Sequence, residues 1–382
     1  MSGSPTTPTQ RVTPMDAKPK ILVVDDSPGN LRYLMETLRD SYAVATARDG
    51  DKALALANGA TKPDMILLDV VMPGMDGFEV CLRLKANPAT CGIPVLFITA
   101  LNDEQNELRG LTVGGVDFIS KPFNPMLVKA RIRSHLELKR HKDQLEDLVA
   151  ERTRELEQTQ DITILTLATL AETRDPETGG HIRRTQNYVR LLANHLYPHT
   201  RFAVLRETGM IELLYKSSPL HDVGKVGVPD HILLKPGKLT AEEWVEMKKH
   251  AVYGWNTLQV ALRRMGENSF LRIAAEIAYT HHEKWDSSGY PRGLAGEEIP
   301  VSGRLMALAD VYDALTSQRV YKISMSHDQA TVMIVEGRGR HFDPEIVDAF
   351  LALQEQFHET AQQFVDDDDT GRIVAVRPLG SG

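Results

Sequence analysis

In the C-terminal half of this 382-residue chain, histidines and aspartates recur at positions where a metal could collect them. His221 and Asp222 are adjacent in HDVGK, with Lys225 three residues on. His250 follows in MKKHAVYG, His281 and His282 in YTHHEKWD, and Asp310 in LMALADVYDAL. Helical spacing puts them on apolar faces: His250 is three residues after Met247 and six after Trp244, His281 extends the stripe Ile273–Ile277, and His282 extends Ala274–Ala278. Asp310 lies four residues from both Met306 and Ala314, where a lone ionised carboxylate is very costly. A shared metal centre removes all of these costs together. Imidazole and carboxylate donors without thiolates fit Mn, Fe or Zn, and open coordination positions suit catalysis. Two such ions about 3.5–4 Å apart can clamp a phosphate and lower the pKa of a water, with Lys225 neutralising phosphate charge. His135, His141, His195, His199, His231, His327 and His358 read instead as ordinary surface or core residues.

A second constellation lies near the N-terminus. Asp25 and Asp26 follow a first short apolar run, Asp69 ends a third, Thr99 a fourth and Lys121 a fifth. Three carboxylates at one sheet edge call for a cation, and Mg²⁺ suits hard oxygen ligands. With Mg²⁺ and Lys121 beside it, one carboxylate can accept a phosphoryl group.

The elements that must position these groups differ between the two halves. The runs Ile21–Val24, Tyr42–Ala45, Met65–Leu68, Val95–Ile98 and Val116–Ile119 alternate with helical segments such as Leu31–Leu38 and Phe78–Leu84. That pattern predicts a doubly wound parallel α/β sheet over residues 20–124, with ligands beyond the carboxyl ends of the strands. Residues 125–160 read as a long polar helix whose seam Leu138, Leu145, Val149 and Leu156 suits a parallel coiled coil, interrupted by Lys142 and Arg152. Residues 161–360 carry helical periodicity throughout and read as an all-α bundle, with helices over Ile182–Leu196, Ala241–Val252, Leu271–His282, Gly303–Ser317 and Pro344–Leu353. Residues 1–19, rich in Ser, Thr and Pro, read as disordered, and 361–382 as a flexible acidic tail.

The N-terminal constellation resembles the receiver domain of two-component response regulators, through VVDDS at 23–27, LLDVVMPGMDG at 67–77, FITA at 97–100 and ISKPF at 119–123. The resemblance implies a flavodoxin-like fold, Asp69 as phosphoacceptor, Asp25 and Asp26 placing Mg²⁺, and Thr99, Lys121 and Phe118 as the switch. It also implies a cis bond before Pro122 and a cognate sensor histidine kinase. The C-terminal constellation resembles the HD-GYP subgroup of HD-domain phosphohydrolases, through HDVGK, HHEKWDSSGYP with Gly289, Tyr290 and Pro291, and ADVYDALTSQRVYK. That resemblance implies cyclic di-GMP hydrolysis to pGpG or GMP. Its metal ligands would be His221, Asp222, His250, His281, His282 and Asp310, and those of a third ion Glu177 and His181 in PETGGHIRRT. Arg319 and Lys322 would hold the substrate phosphates. The subgroup usually has Gly where this chain has Ser287, so a positive φ there would cost about 1 kcal/mol. The pairing of domains is similar to the RpfG-type regulators of quorum sensing, which answer a hybrid sensor kinase and contact GGDEF-type diguanylate cyclases. A homodimer is expected. A different class of function is an adaptor whose HD-GYP surface recruits partners with little turnover, and a third is hydrolysis of another nucleotide.

Composition narrows the field further. A formal net charge of −8 and the lack of a basic helix after the receiver argue against DNA binding. The sequence contains neither a membrane-length apolar run nor a signal-peptide core, so a cytoplasmic protein is expected. Two cysteines, Cys81 and Cys91, exclude a disulfide framework and read as buried thiols.

Overall fold

The computed structural model describes residues 18–100, 104–172, 180–266, 269–317 and 325–364. The expected disordered segment 1–19 therefore falls almost wholly outside the described residues, as does most of the expected tail 361–382. The chain divides into two compact units at Thr153 and Arg154.

In the first unit, short runs of β-branched and aliphatic residues form five parallel strands: β1 (Lys20–Val24), β2 (Ala43–Ala47), β3 (Met65–Asp69), β4 (Val95–Ala100) and β5 (Asp117–Lys121). Their order is β2-β1-β3-β4-β5. Helices α1 (Pro28–Leu38), α2 (Gly50–Ala57), α3 (Gly77–Ala86) and α4 (Glu104–Thr112) connect them. The order reverses direction at β1, so β1 and β3 are neighbours, and the crevice beyond their carboxyl ends is where such sheets bind ligands. Leu22, Val24, Ile66, Leu68 and Val95 fill one face of the sheet, and Ile21, Val23, Leu67, Leu96 and Ile98 fill the other. Cys81 is buried in the first of these cores, and burial pushes its thiol pKa up to about 11. Cys91 is exposed, against expectation, because it lies past the end of α3 in a turn closed by its own N–H on Asn87 O.

Helix α5 (Pro125–Glu172) spans 48 residues and crosses the boundary between the units. Leu138, Leu145, Val149 and Leu156 are exposed on it. No helix among the described residues is long and apolar enough to cross a membrane.

The second unit is helical: α6 (Gly180–Leu196), α7 (Met210–Ser217), α8 (Asp230–Leu233), α9 (Ala241–Met247), α10 (His250–Met265), α11 (Ser269–Thr280), α12 (Val301–Thr316), α13 (His327–Glu336), α14 (Pro344–Ala352) and α15 (Gln354–Gln363). Tyr188, Leu192, Ile277, Leu305, Leu308, Tyr312, Phe350 and Phe357 belong to its main core. The stretch expected as one helix over Ala241–Val252 is two, broken at Lys248 and Lys249. Trp244 on α9 is half exposed, so it does not mark the buried side for His250. His250 is buried because it opens α10, whose first turn packs against HDVGK.

Candidate metal centres

The strand ends bring the receiver constellation together. Ligand atoms of Asp25, Asp26 and Asp69 lie within 4.8 Å of one another. Lys121 Nζ donates to Asp69 Oδ2 at 2.7 Å and lies 3.0 Å from Asp25 Oδ2. Asp25 also accepts from the Ser27 N–H and from Asn30 Nδ2. Burial raises the Asp69 pKa, opposed by Lys121. Burial also acts to discharge Lys121, but its hydrogen bonds to Asp69 and Asp25 outweigh this and hold its pKa above the usual value. Thr99 is buried near the end of β4, opposite Ser120 of β5. Phe118 is half-buried on β5, with the Arg131 guanidinium 5.5 Å from its ring centre. Arg131 and His135, both on α5, bind Asp117, so His135 is more than an ordinary surface residue. The Lys121–Pro122 bond is cis, as the resemblance implies.

The histidines and aspartates of the second unit converge as two groups, with Asp222 of the first lying beside His221 of the second. Ligand atoms of Asp222, His250, His281 and His282 lie within 4.8 Å of one another, as do those of His181, His221 and Asp310. Asp222 Oδ1 faces His250 Nε2 at 3.3 Å and His281 Nε2 at 3.5 Å. Its Oδ2 faces His221 Nε2 at 3.3 Å and Lys225 Nζ at 2.7 Å. One carboxylate thus reaches into both groups.

The local sequence explains how these side chains meet. Gly224 lets HDVGK press on α10: a Cβ there would come within 2.0 Å of His250 O and 2.4 Å of Gly254 N. His281 and His282 lie just past the end of α11, and the loop beyond them is braced by buried Glu283, which accepts from the N–H groups of Arg292 and Leu294. Gly289 lies against the same turn, where a Cβ would approach Lys284 N to 2.3 Å. Tyr290 then donates its N–H to His282 O and sets its ring 4.7 Å from that of His282. The Tyr290–Pro291 bond is also cis. Ser287 has a φ of +68°, the positive value anticipated for a position that favours glycine.

The donor set fits cations. The Nδ1 atoms of His221, His250 and His281 lie 2.8–3.0 Å from the backbone carbonyls of Ser218, Met247 and Ile277, so each ring holds its proton there and aims a bare Nε2 lone pair inward. His250 Nε2, His281 Nε2 and Asp222 Oδ1 are buried without a hydrogen-bond partner among the described residues. Lone pairs facing a carboxylate at this range are unfavourable unless a cation lies between them. Protonating the rings is a poor alternative for His250 and His282. Burial drives the first down to about 4 and the second well below the usual histidine range, assisted by the neighbouring imidazoles and Lys225. Burial opposes the charge on Asp222 too, but Lys225 and His221 hold its pKa well below the carboxylate range. His221 is the exception, its pKa raised because Asp222 outweighs burial.

Three of the anticipated residues, Glu177, Arg319 and Lys322, lie outside the described residues. His181 is buried, with Nε2 3.4 Å from His221 Nε2 and 3.8 Å from Asp310 Oδ1. Residues the sequence reading passed over are here as well. Glu172 is buried, with Oε1 4.0 Å from His181 Nε2. Asp313 lies 2.8 Å behind His181 and is paired with Arg184. His341 stacks on Phe342, its backbone carbonyl accepts from the Trp285 N–H, and burial lowers its pKa to about 4. Asp313 had a signal: it is a second acid three residues after Asp310 on the same apolar helix.

Residues 21–133 match the response regulator receiver domain and residues 165–346 match the HD domain. A probable cyclic di-GMP phosphodiesterase of Vibrio cholerae is 47% identical over 371 residues, covering 95% of this chain and 84% of that protein. The chain belongs to the receiver–HD-GYP family of response regulators. Another relative of this kind, the cyclic di-GMP phosphodiesterase response regulator RpfG of Xanthomonas campestris, is 36% identical over 354 residues, or 90% of each chain. A 3'3'-cGAMP-specific phosphodiesterase of Vibrio cholerae is 44% identical over 203 residues, 53% of this chain and 36% of that protein. As in the rest of the receiver–HD-GYP family, the HD domain belongs to a class of metal-dependent hydrolases.

Proposed function

We propose that this regulator is a metal-dependent phosphodiesterase that hydrolyses cyclic di-GMP to pGpG or GMP under control of phosphorylation at Asp69. The observation that carries the reading is Asp222, whose two oxygens each face inward-aimed imidazole nitrogens. Two divalent ions, Fe or Mn ahead of Zn among those the donors fit, would supply a water of lowered pKa and a positive clamp for one phosphate. Asp222, His250, His281 and His282 would hold one and His181, His221 and Asp310 the other, and Glu177 with His181 would serve a third where one binds. Lys225 Nζ lies 2.7 Å from Asp222 Oδ2, where it can offset charge gathering on a phosphate. Tyr290 packs its ring against His282 and Gly289 lets the turn lie against Lys284, so that Gly289, Tyr290 and Pro291 would line the substrate side of the site. Arg319 and Lys322 would bind phosphate oxygens.

In the receiver, Asp25 and Asp26 would place Mg²⁺ and a histidine kinase, hybrid in a quorum-sensing system, would supply the phosphoryl group. The cationic Lys121 and the Thr99 hydroxyl would bind it and Phe118 would respond. The exposed apolar seam of α5 supports a parallel homodimer. GGDEF-domain cyclases are candidate partners of the HD-GYP surface.

The test is turnover of cyclic di-GMP and of 3'3'-cGAMP by purified full-length chain, with metal content measured alongside. Wild type, the double variant His221→Ala with Asp222→Ala, and Asp69→Ala would be compared, each with and without acetyl phosphate. Metal-dependent product from cyclic di-GMP, lost in the double variant, is expected. Preference for 3'3'-cGAMP would reassign the substrate, and binding without product would favour the adaptor.

A further inference from the structure

His181 differs from the other buried imidazoles in what stands behind it. His221, His250 and His281 each rest on a backbone carbonyl, which side-chain substitution does not remove. His181 Nδ1 lies 2.8 Å from the carboxylate of Asp313. Asp313 is 1% exposed and is gripped from the other side. Arg184, three residues after His181 on α6, donates Nε to Asp313 Oδ1 at 2.6 Å and Nη2 to Oδ2 at 3.0 Å. The Ser317 hydroxyl donates to Oδ2 at 3.0 Å and accepts from Arg184 Nη2 at 2.8 Å, while Arg184 Nη1 donates to Phe364 O. A buried Asp–Arg pair by itself is an ordinary structural feature. This one also holds an imidazole whose opposite nitrogen faces His221 and Asp310.

We infer that Asp313, locked by Arg184, is the positioning residue of His181 and sets the cation affinity of the His181–His221–Asp310 group. The inference rests on the proposed reading of that group as a cation site. A carboxylate behind an imidazole fixes the proton on Nδ1, aims the Nε2 lone pair inward and makes it a stronger donor. Asp310 and Asp313 are three residues apart on one face of α12, so a single helix supplies one ligand and holds the ring of another. The two groups therefore depend on different supports. The Asp222–His250–His281–His282 group relies on main-chain carbonyls for two of its rings. The other group depends on a side-chain carboxylate for His181, and its affinity is tunable without touching a ligand.

The test is titration of metal-stripped full-length chain with Mn²⁺, following free Mn²⁺ by electron paramagnetic resonance, every chain compared carrying Asp26→Ala with Asp69→Ala so that the receiver adds no step. Wild type, Asp313→Asn and His181→Ala would be compared. Asp313→Asn is expected to weaken one binding step 10–100-fold, the range typical of second-layer carboxylates, and to leave the other step unchanged. His181→Ala is expected to abolish that same step. Asp313→Asn strands a buried guanidinium, so the charge-balanced double variant Arg184→Met with Asp313→Asn carries the same expectation if the single variant does not fold. Wild-type binding in the Asp313 variants, with a step lost in His181→Ala, overturns the inference and leaves the cation-site reading intact. Equal weakening of both steps makes Asp313 merely structural and also overturns it. Two unchanged steps in His181→Ala overturn the site reading itself, and the inference with it.

Discussion

Asp313 shows how one side chain serves both stability and the site. Burial alone would raise its pKa, but hydrogen bonds and charge from His181 and Arg184 hold it at about 2, against 3.8 for an ordinary aspartate. Because the folded value is the lower one, this contribution is fully present above pH ~4 and is lost as the pH falls toward 2. In the metal-free chain it amounts to about 2 kcal/mol. Acid unfolding followed by circular dichroism should therefore be less steep between pH 4 and 2 in Asp313→Asn than in wild type, and an equal slope would contradict the assignment. Ser287 is a smaller case. Its φ of +68° is a conformation that L side chains occupy at a cost, so Ser287→Gly should raise stability to urea by up to about 1 kcal/mol. The resemblance to the subgroup implied a glycine position at Ser287, and the structure supplies its backbone reason. Asp313 was less legible. Two acids on an apolar helix were visible, but only the fold reveals which faces a cation group and which faces an arginine.

At the scale of elements, tight backbone contacts decide whether the ligands meet. The side-chain-free surface of Gly289 lets its turn lie against Glu283 and Lys284, placing Tyr290 over His282. A methyl group there overlaps backbone, which is costly because backbone yields less readily than side chains. Gly289→Ala should cost about 1–3 kcal/mol in thermal or urea unfolding and reduce phosphodiesterase turnover at least tenfold. Unchanged kinetics would show that the turn does not position the site. Helical periodicity located most of the helices well, since apolar stripes repeat in any buried helix. His250 is buried as expected, but the periodicity failed over Ala241–Val252, where the break at Lys248 and Lys249 resets the face and leaves Trp244 half exposed. Such a break depends on packing against HDVGK, which no local window contains. On α5 the seam residues are exposed in the single chain. If they form a coiled coil, Leu145→Lys with Leu156→Lys should convert a dimer into a monomer by sedimentation, with helix content held. A monomeric wild type would refute the seam.

For the molecule as a whole, the doubly wound sheet and the helical unit were both legible, because strand-length apolar runs and helical stripes are local patterns. The receiver constellation was legible for the same reason: strand ends gather at one edge of any parallel sheet. The grouping of the histidines was not written locally. His181, His221, His250, His281 and Asp310 span 130 positions, and bundle packing decides that Asp222 joins two groups rather than one. The central claim is that these groups hold two cations at once. Its most direct measurement is anomalous diffraction from crystals of the Mn- or Fe-loaded chain. One peak among Asp222, His250, His281 and His282, and a second among His181, His221 and Asp310, both beside Asp222, are expected. A single peak, or peaks away from Asp222, would contradict it.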